Sequence, residues 1–321
     1  MTNSNHLTTP SSDTSGRIQR GGLSYELTEH CNLRCAGCDH AAPWSDEHFA
    51  SPAEFERDLT ALAKVLYVDE LKLCGGEPLL HPQLLDFLRI AKKVNIAEGI
   101  VLLTNGTLLH KMPIDAWQYL AEVRISVYPG VRRRYDAQAL SAIAERYGCL
   151  FVEMPIETFN EVFTPIKETD ETLVETIHRG CYSAVNCHTV LDGKYYRCSR
   201  VHSIRKRLKM IGKPDSLEMD GLDIHNSPNL FQSLRQYLDN DKPQSSCRYC
   251  LGMYGKEVKQ EQLNAKKLKE EINRPHLSAL DLLDPTTPRT KDSAVRIEEI
   301  RTEFTQKKNW LHLQQDIMHC E

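Results

Sequence analysis

The sequence predicts an α/β fold: a partial (β/α)6 TIM-like barrel, followed by a small α+β module and a polar helical tail. Two observations lead to this prediction. Between residues 23 and 153, short apolar and β-branched runs alternate with segments of helical apolar period, which is typical of β/α units around a parallel sheet. After about residue 164 this alternation stops and four further cysteines follow by residue 250 at wide spacing, with a fifth, Cys187, among them.

The barrel elements follow in order along the chain. Ser51, Pro52 and Glu54 form an N-cap, first-turn proline and capping-box pattern, so we expect a helix that continues to residue 66. Its apolar stripe is Phe55, Leu59, Leu62 and Leu66. We expect strands at 23–27, 70–73, 100–104, 123–127 and 149–153, and further helices at 83–94, 114–122 and 136–147. In such a barrel, chemistry belongs at the carboxyl ends of the strands.

These patterns divide the chain into four parts. We expect a disordered N-terminus at 1–20, the barrel at 21–163, a cysteine-containing module at 164–255 and a polar helical or partly disordered tail at 256–321. The module contains a hairpin pattern with Asp192 and Gly193 at its turn and a short helix near residues 231–238.

Composition excludes several classes of protein. Lys and Arg number 40 against 44 Asp and Glu, a net charge of −4, which argues against nucleic acid as a partner. No apolar run is long enough to cross a membrane, and the first twenty residues lack the apolar core of a signal peptide, so we expect a cytoplasmic protein. Eleven cysteines in a reducing compartment indicate metal or redox chemistry.

The first cysteine group directly follows the first predicted strand. Cys31, Cys35 and Cys38 have the spacing C-x3-C-x2-C. Three thiolates can hold three irons of a 4Fe–4S cluster and leave the fourth iron open to an external chelating molecule. A structural zinc site is the alternative, but such sites normally contain paired C-x2-C units and four ligands.

This loop resembles the signature of the radical S-adenosylmethionine (SAM) superfamily. At the end of the second predicted strand, Cys74-Gly75-Gly76-Glu77-Pro78 resembles the GGEP motif of the same family. The resemblance implies a SAM-binding 4Fe–4S cluster on the three cysteines and a SAM site formed by Gly75, Gly76, Glu77, Thr104, Asn105 and Ser126. Gly37 departs from the pattern, because family members usually have an aromatic residue there. We therefore expect another part of the chain to pack against the adenine.

The second cysteine group consists of Cys181, Cys198, Cys247 and Cys250. Four thiolates can ligate every iron of a second 4Fe–4S cluster. The spacing is similar to the auxiliary-cluster module called twitch, which is related to the longer SPASM module, and to that of the 2-deoxy-scyllo-inosamine dehydrogenases. A structural zinc would also satisfy four cysteines, and Cys187 competes with Cys181 as a ligand. Cys74, Cys149, Cys187 and Cys320 are then left over.

The resemblance implies a reaction. SAM is cleaved reductively, and the resulting 5′-deoxyadenosyl radical removes hydrogen from a small polar substrate that is sugar-, aminocyclitol- or amino-acid-like. An auxiliary cluster that accepts the second electron favours net two-electron oxidation. We expect an electron donor such as flavodoxin or ferredoxin as a partner; the sequence identifies neither a proton acceptor nor an oligomeric state.

Three alternatives remain open at this stage. A radical epimerase would use a cysteine, for which Cys187 is the candidate, to return hydrogen to the opposite face of the carbon. A peptide-modifying maturase would act on a larger substrate, although only about twenty residues precede the first predicted strand. A metal-stabilised binding protein would keep the cysteines for folding alone.

Overall fold

A computed structural model of the protein describes residues 16–213, 220–272 and 277–284, and its main feature is an eight-stranded sheet. The five predicted strands are confirmed, within a few residues of their predicted limits: β1 (Ile18–Thr28), β2 (Leu66–Gly75), β3 (Ala97–Thr104), β4 (Glu122–Val127) and β5 (Leu150–Pro155). They pair in parallel in the order β5-β4-β3-β2-β1. This largely parallel sheet confirms the predicted α/β class. Residues 18–20 already belong to β1, so the predicted disordered segment is too long; residues 1–15 lie outside the described part.

A sixth parallel strand comes from the cysteine-containing region. After β5 the chain forms the short β6 (Thr158–Asn160) and later returns to the sheet with β7 (His188–Leu191), which pairs in parallel with β1. The sheet continues in antiparallel fashion with β8 (Lys194–Tyr196) and β9 (Leu222–Asp223). Asp192 and Gly193, both at positive φ, form the predicted hairpin turn between β7 and β8. The hairpin therefore shares one sheet with the barrel strands.

Helices cover the outer side of the barrel. They are α1 (Pro52–Leu62), α2 (Leu84–Val94) and α3 (Ala137–Arg146). The Ser51 hydroxyl accepts a hydrogen bond from the Glu54 backbone N–H, as the capping pattern predicts. Extension of α1 to residue 66 is wrong, because the helix ends at Leu62 and Leu66 begins β2. Leu66 is fully buried as a strand residue, so its apolar character fits both patterns.

The predicted helix at 114–122 is also wrong. A 3₁₀ helix spans Ile114–Tyr119, and Glu122 opens β4. Only two residues separate these elements, and the backbone of Glu122 pairs with Val101 of β3. Pairing in the sheet thus overrides the helical pattern at its C-terminal end.

The region after β6 contains shorter elements. The helices are α4 (Glu171–Arg179), α5 (Ser183–Asn186), α6 (Arg200–Met210), α7 (Leu230–Asp239), α8 (Ala265–Ile272) and α9 (Ala279–Leu282). The helix predicted near 231–238 is confirmed as α7. The predicted tail contains a strand, β10 (Glu257–Lys259), which pairs with β6. Residues 285–321, including Cys320, lie outside the described part of the chain.

Side chains of the barrel strands alternate between an apolar outer face and a polar interior. On β1, Leu23, Tyr25 and Leu27 join the core with α1, and the Tyr25 ring lies 4.7 Å from the Phe55 ring in an edge-to-face arrangement. The residues that alternate with the apolar ones along the strands face the interior and form ion pairs. Arg124 of β4 contacts Glu70 of β2 at 3.2 Å, and Lys72 contacts the same carboxylate at 3.2 Å. The interior is therefore built to hold charged and polar groups.

Candidate functional site

The first cysteine group lies on the loop that follows β1, at the carboxyl edge of the sheet. Burial raises the pKa of Cys31 to about 12 and that of Cys38 to about 11, and in each case the charge of Cys35 raises it further. The three sulfurs are therefore close enough to repel one another as thiolates. Such thiols stay protonated unless a positive centre replaces the proton. The donor set fits an iron–sulfur cluster that takes three ligands from this loop.

The glycines at the end of β2 allow this loop to pack directly on the strand. A Cβ atom on Gly76 would lie 1.9 Å from the His30 carbonyl oxygen, and one on Gly75 would lie 2.2 Å from the Thr28 oxygen. The Gly76 N–H donates to the Thr28 oxygen at 2.8 Å. Only glycine permits this approach. The two segments singled out in the sequence are thus in contact, because the start of the cysteine loop packs on the glycines at the end of β2.

Glu77 is a buried carboxylate surrounded by donors. It accepts hydrogen bonds from the Thr104 hydroxyl at 2.7 Å, the Asn105 N–H at 2.8 Å and the Leu79 N–H at 3.0 Å. Burial raises its pKa to about 7, although these three donors oppose the shift. A carboxylate offers about four acceptor sites, so one remains available for an amino group.

Asn105 links the end of β3 to the first cysteine. Its side-chain nitrogen lies 3.5 Å from the Cys31 sulfur and donates to the Asn32 side-chain oxygen at 2.9 Å. Thr104 and Asn105 are therefore brought together with Glu77 and the cysteine loop, as the resemblance implies. The role of each residue toward SAM stays a prediction.

Two aromatic side chains that the sequence analysis did not single out lie beside the cysteine loop. The Tyr128 phenol is close to Ser126, with which it forms a side-chain hydrogen bond, and burial together with the nearby Cys35, Cys38 and Cys31 raises its pKa. The Tyr128 ring lies 5.9 Å from the Phe159 ring.

Phe159 occupies the space next to Gly37. A Cβ atom on Gly37 would meet the Phe159 Cβ at 3.3 Å. Aromatic surface is thus present at the loop although position 37 has no side chain. Tyr128 directly follows the end of β4, and that position was the only signal in the sequence that could have identified it.

The segment after β10 returns to the cysteine loop. The Ala36 N–H donates to the Glu261 oxygen at 2.9 Å, and the Leu263 N–H donates to the Arg34 oxygen at 2.7 Å. This strand-like pairing brings the Gln262 side chain to the Cys35 sulfur. The predicted tail is therefore part of the site, which no residue pattern in that region indicated.

A group of charged side chains lies at the carboxyl end of β1. Glu26 accepts from His40 at 3.0 Å and lies 3.6 Å from His202 and 3.7 Å from Lys206. Lys206 is also 3.2 Å from Glu29, just before the cysteine loop. We call Glu26, His40, His202 and Lys206 the β1 polar group. Among the described residues, His202 Nε2, Glu26 Oε2 and Lys206 Nζ are buried and make no hydrogen bond.

The second cysteine group also comes together. Burial raises the pKa of Cys198 well above its ordinary value, and Cys181, Cys250 and Cys247 raise it further. Four sulfurs are therefore close in space: that of Cys181 between α4 and α5, that of Cys198 after β8, and those of Cys247 in and Cys250 directly after the 3₁₀ helix Ser245–Tyr249. The half-buried Cys187 is close enough to Lys72 and Cys181 for their charges to affect its thiol, and it also affects the Cys74 thiol. The assignment of Cys181, and not Cys187, as the fourth ligand stays a prediction.

Helix α6 lies between the two cysteine groups. Its first residue, Arg200, is buried and contacts the Asp39 carboxylate at 3.1 Å, one residue after Cys38. Arg207, two turns later, donates to the Cys38 oxygen at 2.7 Å. Although burial opposes its charge, Asp39 and the thiols of Cys250, Cys181 and Cys198 raise the pKa of Arg200. One guanidinium thus lies beside both groups.

The described residues contain neither a membrane-spanning helix nor a preformed site for a single metal ion. No helix there has the length and apolar character needed to span a membrane. No three His, Cys, Asp or Glu side chains in that part of the chain converge on one point, as the ligands of a single metal ion would. A 4Fe–4S cluster takes one thiolate on each iron, so its ligands are spaced around the cluster and do not meet at one point.

Comparison with known proteins gives one family match. Residues 25–132 match the model described as the Radical SAM superfamily. This interval includes the cysteine loop, the glycine segment, the end of β3 and Ser126.

Curated relatives are similar to parts of the chain. The Probable GTP 3′,8-cyclase of Pyrococcus horikoshii is 34% identical over 88 residues, which are 27% of each chain. The GTP 3′,8-cyclase of Actinobacillus pleuropneumoniae is 34% identical over 113 residues, 33% of this chain and 32% of that one. The chain thus matches about a third or less of these relatives' length. The Probable GTP 3′,8-cyclase of Thermoplasma volcanium is 27% identical over 250 residues, 71% of this chain and 74% of that one.

The solved structures to which the chain is similar include two complexes with AdoMet. BtrN in complex with AdoMet and 2-DOIA is 17% identical, with a TM-score of 0.43 over 73% of this chain and 94% of that chain. His6-tagged anSMEcpe with bound AdoMet is 11% identical, with a TM-score of 0.47 over 90% of this chain and 94% of that chain.

Proposed function

The chain carries a domain of the radical SAM superfamily at residues 25–132, and from this premise we propose that it oxidises a small polar substrate by reductive cleavage of SAM. One observation carries the proposal: the loop that bears the three thiols packs directly against the glycine–glutamate segment at the carboxyl edge of the sheet. Separate structural roles for the two segments would not require that contact.

The residues have distinct proposed roles. Cys31, Cys35 and Cys38 would hold a 4Fe–4S cluster, which when bound supplies the electron that breaks the C5′–S bond of SAM. Gly75 and Gly76 let the start of the cysteine loop pack against the end of β2, which would place both segments beside the methionine part of SAM. Glu77 would offer its amino group a remaining acceptor site. Ser126, with Tyr128 and Phe159, would border the rest of the molecule.

The second cysteine group favours oxidation over other outcomes. Cys181, Cys198, Cys247 and Cys250 would ligate a second 4Fe–4S cluster completely, and such a cluster can take up an electron without binding substrate. The positive charge of the buried Arg200 beside these thiols favours added negative charge there. The curated relatives are named for a cyclisation, so they support the SAM domain and not this oxidation.

Oxidation of an alcohol or amine also needs a proton acceptor, and we propose His202. Its Nε2 is buried without a hydrogen-bond partner among the described residues, and burial lowers the pKa of the imidazole despite the nearby Glu26. A neutral imidazole can accept a proton. Hydroxyl and amino groups of a sugar-, aminocyclitol- or amino-acid-like substrate would also complete the contacts of Glu26 and Lys206.

Epimerisation is a second candidate, favoured by Cys187. Burial raises the pKa of this thiol and keeps its hydrogen on sulfur, although the positive charge of Lys72 opposes the shift. A protonated cysteine can return a hydrogen atom to a substrate radical. Reaction in deuterium oxide distinguishes the two, since epimerisation places one deuterium on carbon and oxidation gives a carbonyl without deuterium.

The proposal includes a partner and a compartment. Free thiols in both groups persist in a reducing environment, so we place the enzyme in the cytoplasm. A low-potential donor such as flavodoxin or ferredoxin would supply the first electron.

Release of 5′-deoxyadenosine tests the central reaction. Anaerobically reconstituted protein with dithionite and SAM should release it, and Cys35→Ser should reduce the release at least 100-fold. Cys149→Ser is the matched control, because Cys149 is buried in the core away from both groups. No release by the parent, or equal release by Cys35→Ser, would contradict the proposal.

Iron analysis tests the second cluster. Cys198→Ala should lower the iron and sulfide content by about half and leave 5′-deoxyadenosine release measurable, because the two groups ligate separate clusters. An unchanged iron content in Cys198→Ala, or zinc in place of that iron in the parent, would rule out the second cluster.

A further inference from the structure

Residues 260–263 lie alongside the first cysteine loop. Their backbone pairs with residues 34–36, and Cys35 lies directly opposite Gln262. Cys35 thus faces a neighbouring segment that carries two amide side chains, those of Gln260 and Gln262. This arrangement depends on β10, which holds the segment against β6.

Gln262 makes two contacts with the loop. Its side-chain nitrogen donates to the Cys35 sulfur at 3.2 Å, and its side-chain oxygen accepts from the Arg34 N–H at 2.9 Å. The second contact fixes which end of the amide faces the sulfur. The donor therefore points at Cys35 and the acceptor points at the backbone.

Gln260 lies beside the same sulfur. Its side chain is only 2% exposed and interacts with the Cys35 thiol. Neither its side-chain nitrogen nor its oxygen reaches a hydrogen-bond partner at normal distance within the described residues. A buried amide without partners is costly, and a more negatively charged sulfur would satisfy its donor.

We propose that the side-chain amides of Gln260 and Gln262 donate hydrogen bonds to the Cys35 sulfur and raise the reduction potential of the cluster that this sulfur ligates. Hydrogen bonds to cluster sulfurs stabilise the form that carries the extra electron. The two glutamines are positioning residues, since they act through Cys35. The inference rests on the proposed function, which assigns a cluster to this loop.

An EPR-monitored redox titration of the full-length reconstituted protein tests this. The signal that changes when SAM is added reports the first cluster. Gln260→Leu and Gln262→Leu should each shift its midpoint potential to a more negative value, and the double variant should shift it further. Gln262→Glu keeps the acceptor for the Arg34 N–H and removes the donor to the Cys35 sulfur, so the midpoint potential of the cluster should fall in this variant as well. Glu261→Gln is the control, because the Glu261 side chain points to Lys267 and its potential should equal that of the parent.

The possible results separate the explanations. Unchanged potentials in Gln260→Leu and Gln262→Glu would overturn the inference and leave the proposed function intact. If Gln262→Glu keeps the midpoint potential of the parent and only Gln262→Leu shifts it, Gln262 acts by holding the Arg34 backbone and not by donating to the sulfur. This result would also overturn the inference. If Gln262→Leu loses iron, the other two variants decide by the same criterion. A parent without any SAM-responsive signal would contradict the proposed function itself.

Discussion

Glu77 is the residue whose charge depends most directly on the packing of the site. Its pKa rises from 4.5 to about 7 because it is fully buried. The unfolded chain releases this proton near the ordinary value, and the native protein retains it until about pH 7. Between these values the native state binds more protons, so its stability falls as the pH rises through this window. Above pH 7 the effect is constant.

Glu77→Gln removes this titration and should reveal it. From pH 6 to pH 7 the parent should lose about 1 kcal/mol of unfolding free energy relative to the variant, and between pH 8 and pH 9 the difference should stay constant. Urea unfolding of the SAM-free protein at each pH measures this. A difference that is the same at pH 6 and pH 7 would show that Glu77 does not titrate there.

At the residue scale, the sequence predicts those parts of the site whose residues lie close together along the chain. The cysteine loop and Gly75–Glu77 segment are each continuous, and the parallel-sheet pattern brings them to one edge. The contacts of Tyr128 and Gln262 with the cysteine loop and of His202 with β1 could not be predicted, because each comes from a distant segment that only tertiary packing brings there.

At the scale of elements, α6 connects the two cysteine groups. Arg200 contacts Asp39 near the first group and the Gly252 oxygen near the second at 2.7 Å. The helix therefore holds the two groups in a fixed relation, with a buried charge between them. Its sequence gives no sign of this, since the apolar stripe that identified other helices is interrupted by arginine and histidine.

Arg200→Met should destabilise the protein and lower its iron content. Loss of the guanidinium removes the partner of the Asp39 carboxylate and of the Gly252 oxygen, together with the positive charge beside the second group, at a cost of about 1–3 kcal/mol. Thermal unfolding and iron analysis measure both effects.

Arg205→Met is the matched control on the same helix. Arg205 pairs at 3.5 Å with Asp192, whose side chain is exposed, so its loss should cost less stability than that of Arg200 and no iron. Equal effects of the two substitutions would contradict a special role for Arg200.

Element boundaries show where pattern reasoning ends. The periodicity of α1 and α2 was sufficient because capping residues or apolar faces define them. The segment at 114–122 and the position of Leu66 were misread because a buried strand and a helix face both use apolar residues. Strand β7 was assigned to the hairpin correctly, but its pairing with β1 is a long-range contact without a local signal.

At the scale of the whole molecule, one sheet carries both cysteine groups. The first group follows β1, and the hairpin that leads to Cys198 extends the same sheet from β1 through β7 and β8. The returning segment after β10 then covers the first loop. The proposed electron path, from the first cluster through SAM and substrate to the second, thus lies along one continuous framework.

Mössbauer spectroscopy of protein reconstituted with ⁵⁷Fe tests the central claim most directly, because it observes each iron site. Three protein ligands leave one iron open, so addition of SAM should change the parameters of a single iron site in the parent and leave the others unchanged. A spectrum that SAM does not alter would contradict a SAM-binding cluster on Cys31, Cys35 and Cys38.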